Sequence, residues 1–114
     1  MIVDDEVEIL ESFRETAQNA CELKCFSDPR EAMYDYSRHE NYDVVIVDLK
    51  MPRKHGESLI FDILLQNPRQ KIAVVSGYPE ELNLPEEKRK TVSIFEKPIS
   101  PQKLLKNLFP ELKI

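Results

Sequence analysis

Val44-Val45-Ile46-Val47, closed by Asp48, is the stretch that decides the fold. Four β-branched residues without a polar interruption read as a strand buried on both faces, because a strand with one wet face would alternate. A charge cannot be buried cheaply, so Asp48 has to surface where the strand ends. Two other stretches repeat the design: Ile2-Val3 runs into Asp4-Asp5, and Lys71-Ile72-Ala73-Val74-Val75 runs into Ser76-Gly77. A fourth, Val92 to Phe95, ends near Lys97-Pro98. In a parallel α/β sheet these ends lie along one edge, where ligands bind beside the switch point in strand order. Three carboxylates, a hydroxyl and an ammonium are therefore expected to converge there.

The intervening segments supply helices. Ile9, Leu10, Phe13 and Ala17 recur at helical spacing opposite Glu8, Glu11, Arg14 and Glu15, which predicts a helix over about residues 6 to 19. A short second strand follows at Leu23-Lys24-Cys25-Phe26. Asp28-Pro29-Arg30-Glu31 has the order of a helix start, with Asp as N-cap, Pro in the first turn and Glu three residues after the cap. That helix runs to about Arg38. The central strand covers 43 to 47, and after it Leu59, Ile60, Ile63 and Leu64 line the inner side of a third helix that Asn67-Pro68 stops. Further strands are expected at 71 to 75 and 92 to 95, and Pro101 opens a last helix carrying Leu104, Leu105 and Leu108. Alternation of strands and helices implies right-handed crossovers and a parallel sheet.

Tyr78 to Thr91 should hold one more helix, yet Pro79, Pro85, Asn83 and the charge run Glu86 to Lys90 leave only Leu82 and Leu84 as anchors. At most a short or irregular helix is expected there, ordered further by a partner or by modification. The first strand is short as well, since only Met1, Ile2 and Val3 precede the acidic pair, which points to a native chain beginning a few residues earlier.

These landmarks carry a family resemblance over essentially all 114 residues. The acidic pair after the first strand, Asp48-Leu49-Lys50-Met51-Pro52 followed by Gly56, Ser76-Gly77 and Lys97-Pro98 resemble the receiver domain of two-component response regulators. The resemblance implies the strand order 2-1-3-4-5 of a flavodoxin-like, doubly wound sheet. It implies that Asp48 accepts a phosphoryl group from a sensor histidine kinase or phosphotransfer protein, with Ser76 and Lys97 beside it. It also implies Mg2+, ligated by Asp5 and Asp48 and by the backbone carbonyl of Lys50, with Asp4 acting mainly through water. Mg2+ suits such a pocket because it keeps several waters and takes few protein ligands. In the family an aromatic residue three positions before the lysine couples to the switch; that position is Ile94 here, with Phe95 next door. A differently routed switch is expected, leaving through the fourth-helix segment, the fifth strand and the last helix, a face that could also form a homodimer.

Composition narrows the alternatives. A length of 114 residues predicts one domain spanning 1 to 114. With 16 Lys+Arg against 21 Asp+Glu, the net charge of -5 argues against a nucleic-acid footprint. No apolar run approaches the ~20 residues that span a bilayer, so a cytoplasmic protein is expected. Cys21 and Cys25 flank a predicted strand four residues apart and are expected to stay reduced. His39 and His55 lack metal-ligand spacing, and Arg53-Lys54-His55 and Lys88-Arg89-Lys90 read as solvated faces. Tyr34, Tyr36 and Tyr42 read as packing residues with wet hydroxyls. A phosphorylation-independent pseudo-receiver scaffold is the alternative, but loss of Asp48 or Lys97 would have favoured it. A phosphatase with an Asp nucleophile would want a second Asp at position 50, which is Lys. A flavin binder would want a small-residue phosphate loop where Asp4-Asp5 would repel the phosphate.

Overall fold

The computed structural model describes residues 1–39, 41–49 and 54–114, without the side chains of Lys54, His55 and Glu81. Five parallel strands form the sheet: β1 (Ile2–Val3), β2 (Cys25–Phe26), β3 (Val45–Leu49), β4 (Ile72–Ser76) and β5 (Val92–Glu96). Their order is β2-β1-β3-β4-β5, as the family resemblance implied. Four helices connect or follow them: α1 (Val7–Ala17), α2 (Pro29–Arg38), α3 (Lys54–Gln66) and α4 (Pro101–Leu108). Among the described residues no helix is long and apolar enough to cross a membrane.

Strand alternation sorts the core into two layers. Val3, Val45, Val47, Leu49, Ile72 and Val74 pack on the α2/α3 side against Ala32, Tyr36, Leu59, Ile60, Ile63 and Leu64. Ile2, Ile46, Ala73 and Val75 pack on the other side against Leu10, Phe13 and Ala17 of α1 and Leu104 and Leu105 of α4. The central strand is thus buried on both faces, as its uninterrupted β-branched run requires.

Local signals behave as their chemistry demands. The Asp28 side chain accepts from the Arg30 N–H and caps α2, whose first residue is Pro29. Ser100 accepts from the Lys103 N–H at the start of α4. The first helix is shorter than expected, because Gln18 turns into the left-handed region at φ 43° and ends it. The central strand runs two residues further than its apolar run, to Leu49, which is buried against α3. Cys21 and Cys25 are free thiols.

At the amino-terminal end of the sheet the tyrosines depart from expectation. Tyr36 is fully buried and donates its hydroxyl to the side-chain oxygen of buried Gln70 at 2.7 Å. Gln70 in turn donates to the carbonyls of Tyr42 and Lys71. The Tyr42 ring stacks on Tyr36, and its hydroxyl donates to Asp35. Burial, and then the Asp35 acceptor, push the Tyr42 hydroxyl above its usual pKa. Of these three tyrosines, Tyr34 alone is largely exposed, with the Arg38 guanidinium over its ring.

The connection from β4 to β5 contains two single 3-10 turns, Pro79–Glu81 and Glu86–Lys88, in place of a helix. Leu82 and Leu84 are both buried in the α2/α3-side core. Their burial contributes about 1.5–3 kcal/mol each, against about 1–2 kcal/mol per residue for ordering the backbone. Arg89 makes up part of the difference. Its Nη2 donates to the Leu82 carbonyl at 2.6 Å and its Nε to the Leu84 carbonyl at 3.3 Å. The Lys88 ammonium lies 4.9 Å from the centre of the Phe61 ring on α3. The basic cluster is solvated, with Arg89 and Lys90 exposed as its charge run suggested, and Lys88 and Arg89 make these contacts from the surface.

The two glycines have different reasons to be glycine. A Cβ on Gly56 would overlap the Leu49 Cδ2 methyl and touch Val47 Cγ1 at 3.6 Å, whereas one on Gly77 meets nothing within 4 Å. Leu49 is buried and cannot swing aside without disturbing its neighbours. Gly56→Ala is expected to destabilise the fold by about 1–2 kcal/mol, overpacking outweighing the gain in helix propensity. Gly77→Ala should stay within about 0.5 kcal/mol; urea denaturation of both variants checks the contrast.

Candidate functional site at the carboxyl edge of the sheet

Register brings the predicted residues to one edge. Val3 pairs with Val47, so the next step sets Asp4 beside Asp48. Leu49 pairs with Ser76, and Ser76 with Glu96, so the ends of β3, β4 and β5 lie level. The Lys97 N–H donates to the Ser76 carbonyl at 2.9 Å and carries the alignment past the strand end. The Lys97–Pro98 peptide bond is cis. By alternation Asp4, Asp48 and Lys97 share the face of Ile2, Ile46 and Phe95, while Ser76 belongs to the opposite face.

Asp48 and Lys97 form the centre. The Lys97 Nζ stands 2.6 Å from Asp48 Oδ1, and the Asp48 side chain is only 8% exposed. The approach lies off the hydrogen-bond directions, which makes it a contact of charge. The pair answers a necessity, because a carboxylate at the end of a doubly buried strand needs a counter-charge.

Asp4 is 2% exposed, and its Oδ1 accepts from the Glu6 N–H at 2.8 Å, turning the chain from β1 into α1. A side chain at the candidate site thus also makes the turn. Asp5, the next residue, is exposed. Ser76 is 1% exposed, and its Oγ accepts from the Tyr78 N–H at 3.0 Å. Lys50 lies outside the described residues. Among the described residues no group of three or more His, Cys, Asp and Glu side chains stands together as a metal cage. Asp4 and Asp48 have instead turned to the Glu6 N–H and to Lys97. Mg2+ asks for no closed cage, and its usual one or two carboxylates plus phosphate and water fit a hard-oxygen set of Asp4, Asp5 and Asp48.

Sequence reasoning missed the Tyr78 amide. A backbone N–H carries no residue signal, and only the turn after β4 brings it to Ser76. Phe95 packs against the core shared with α1 and α4, whereas Ile94 is 37% exposed on the opposite face.

Comparison with known families places this geometry. The family model for the response regulator receiver domain matches residues 1–109. The chain belongs to that family. No curated protein sequence matches it. Among solved structures, a response regulator receiver domain protein from Clostridium thermocellum is 23% identical with a TM-score of 0.77, covering 96% of this chain and 91% of that one. Vibrio cholerae chemotaxis protein CheY4 is 26% identical with a TM-score of 0.73, covering 97% and 95%. CheY of Borrelia burgdorferi, solved as a CheX-CheY-BeF3-Mg complex, is 22% identical with a TM-score of 0.76, covering 96% and 84%. The receiver domain described here is CheY-like and is of the kind used in two-component signalling.

Removing Lys97 from this half-buried pair leaves the Asp48 charge, itself 8% exposed, without that counter-charge. Lys97→Met and Asp48→Asn are expected to be coupled by about 1–3 kcal/mol in a double-mutant cycle, the double variant being more stable than the separate losses predict. Urea denaturation without added divalent cation measures this coupling.

Proposed function

We propose that the receiver domain accepts a phosphoryl group on Asp48 in a Mg2+-dependent reaction, the donor being a phosphohistidine on a sensor kinase or phosphotransfer protein. The observation that carries this reading is the Asp48–Lys97 pair at the ends of β3 and β5, with Ser76 in register at the end of β4. The B. burgdorferi complex, which contains BeF3 and Mg, supports it by fold likeness.

Chemically, an Asp48 carboxylate oxygen attacks the phosphorus in line, the N–P bond breaks, and the electron pair leaves with the imidazole. The product is an acyl phosphate. Lys97, freed from the carboxylate oxygen it now holds, is positioned to take one of the equatorial oxygens and balance the charge that develops there. Asp5, Asp48 and the Lys50 carbonyl would hold Mg2+, with Asp4 acting mainly through water, and the ion would supply charge neutralisation to the transferring group. Ser76 can donate its hydroxyl once a phosphoryl group replaces the bare carboxylate edge. Output is expected to leave through the Tyr78–Thr91 segment, β5 and α4, a surface that is also the candidate for docking partners or a second copy.

Incubation with a small-molecule phosphodonor and Mg2+ should add one phosphate to the intact mass, and Asp48→Asn should abolish it. An undiminished mass shift in that variant, or one insensitive to chelator, would overturn the assignment.

The switch should not depend on a swinging ring. Phe95 is packed in the core with α4 and Ile94 is half out in solvent. In a crystal structure with beryllofluoride bound, Ile94 is expected to repack with little rotamer change and Phe95 to stay in place. A large inward swing of Phe95 would contradict this route.

A further inference from the structure

The β4–β5 connection is a strap whose fold is stapled by one guanidinium. Its hydrogen bonds are few and local: Leu82 N–H to Pro79, Lys88 N–H to Pro85 and Arg89 N–H to Glu86. Fixing to the body of the domain comes from Leu82 and Leu84 in the core and from Lys88 over Phe61, while the Arg89 guanidinium staples the connection to itself across the Leu82 and Leu84 carbonyls. At its other end the strap is tied to the site, because the Tyr78 N–H donates to Ser76 Oγ.

We infer that Arg89 is a latch: its two hydrogen bonds hold residues 78–89 in the resting state in place of a fourth helix, and the Ser76–Tyr78 bond is the other tie, the one that the site can release. The trigger rests on the phosphoacceptor reading above, whereas the latch itself stands on the resting geometry. The buried Ser76 oxygen faces a backbone N–H at 3.0 Å and lies level with the end of β3. A Ser76 side chain that rotates so that its hydroxyl donates to a phosphoryl oxygen on Asp48 carries Oγ out of reach of the Tyr78 N–H. The first tie of the strap is then lost, and the second, the guanidinium, has only one edge of the loop to hold. Release exposes Leu82 and Leu84, a signal made of apolar surface that needs no aromatic at position 94.

Arg89 differs from the other basic residues around it in that both its acceptors are carbonyls of the strap, so its loss has a local signature. Amide hydrogen exchange of the full chain tests this. Arg89→Ala is expected to raise exchange at Leu82, Lys88 and Arg89 by about tenfold or more, with Val45–Leu49 unchanged. Arg89→Lys, which has a point charge in place of a fork, should fall between. In the unsubstituted protein, beryllofluoride with Mg2+ should raise exchange at Tyr78 and across 82–89 toward the Arg89→Ala level, and should add little in that variant. Unchanged exchange in Arg89→Ala overturns the latch. Added protection of 78–89 on binding beryllofluoride overturns release. Absence of any beryllofluoride effect at Asp48 and Lys97 overturns the phosphoacceptor reading and with it the trigger, while the Arg89→Ala comparison still decides the latch.

Discussion

Burial of the central strand on both faces is the constraint from which the rest of the structure follows. Val45, Ile46 and Val47 are enclosed by helices on either side, so a charge in that strand can sit only at its end. Asp48 takes that position, and its carboxylate is still only 8% exposed. A counter-charge is then required from a neighbouring strand end. Lys97 supplies it from β5, two strands away across β4, because parallel pairing lines up all carboxyl ends. The site is thus a consequence of how a parallel sheet disposes of charge.

The same pairing has a particular geometry. Lys97 holds Asp48 by charge rather than along a hydrogen-bond direction, a contact that other oxygens can replace. Asp4 and Ser76 each combine a structural bond with a place at the edge: one turns the chain into α1, the other ties the residue two positions on. Residues that hold the backbone at the site will carry any displacement of the site into the backbone. On the β4 side that backbone is the strap, which lacks a helical ladder and depends on two leucines and one guanidinium.

Much of the architecture was legible from residues. β-branched runs without alternation mark the inner strands, and the Asp28-Pro29 and Ser100-Pro101 pairs mark helix starts because capping and proline geometry are local. The scarcity of apolar residues between Tyr78 and Thr91 was enough to forecast an irregular fourth connection. Less was legible where a residue's role depends on what it meets. Tyr36 and Tyr42 looked like packing residues with wet hydroxyls, yet Gln70 and Asp35 reach them from distant or separate elements. Arg89 looked like one member of a solvated charge run, and only the bent path of the strap brings the Leu82 and Leu84 carbonyls within reach of its guanidinium.

By itself, then, the sequence determined the fold class, the strand ends and the chemical types gathered there, because hydrophobic periodicity and turn chemistry act over a few residues and survive without knowledge of neighbours. Tertiary structure decided how the groups meet: that the Lys97 ammonium stands 2.6 Å from Asp48 Oδ1, that Ser76 accepts from the Tyr78 amide, and that Arg89 reaches back across the connection to the Leu82 and Leu84 carbonyls. Such contacts depend on distances of a few ångströms between residues that pattern places only to an element, and they form only when sheet register and core packing bring those elements together.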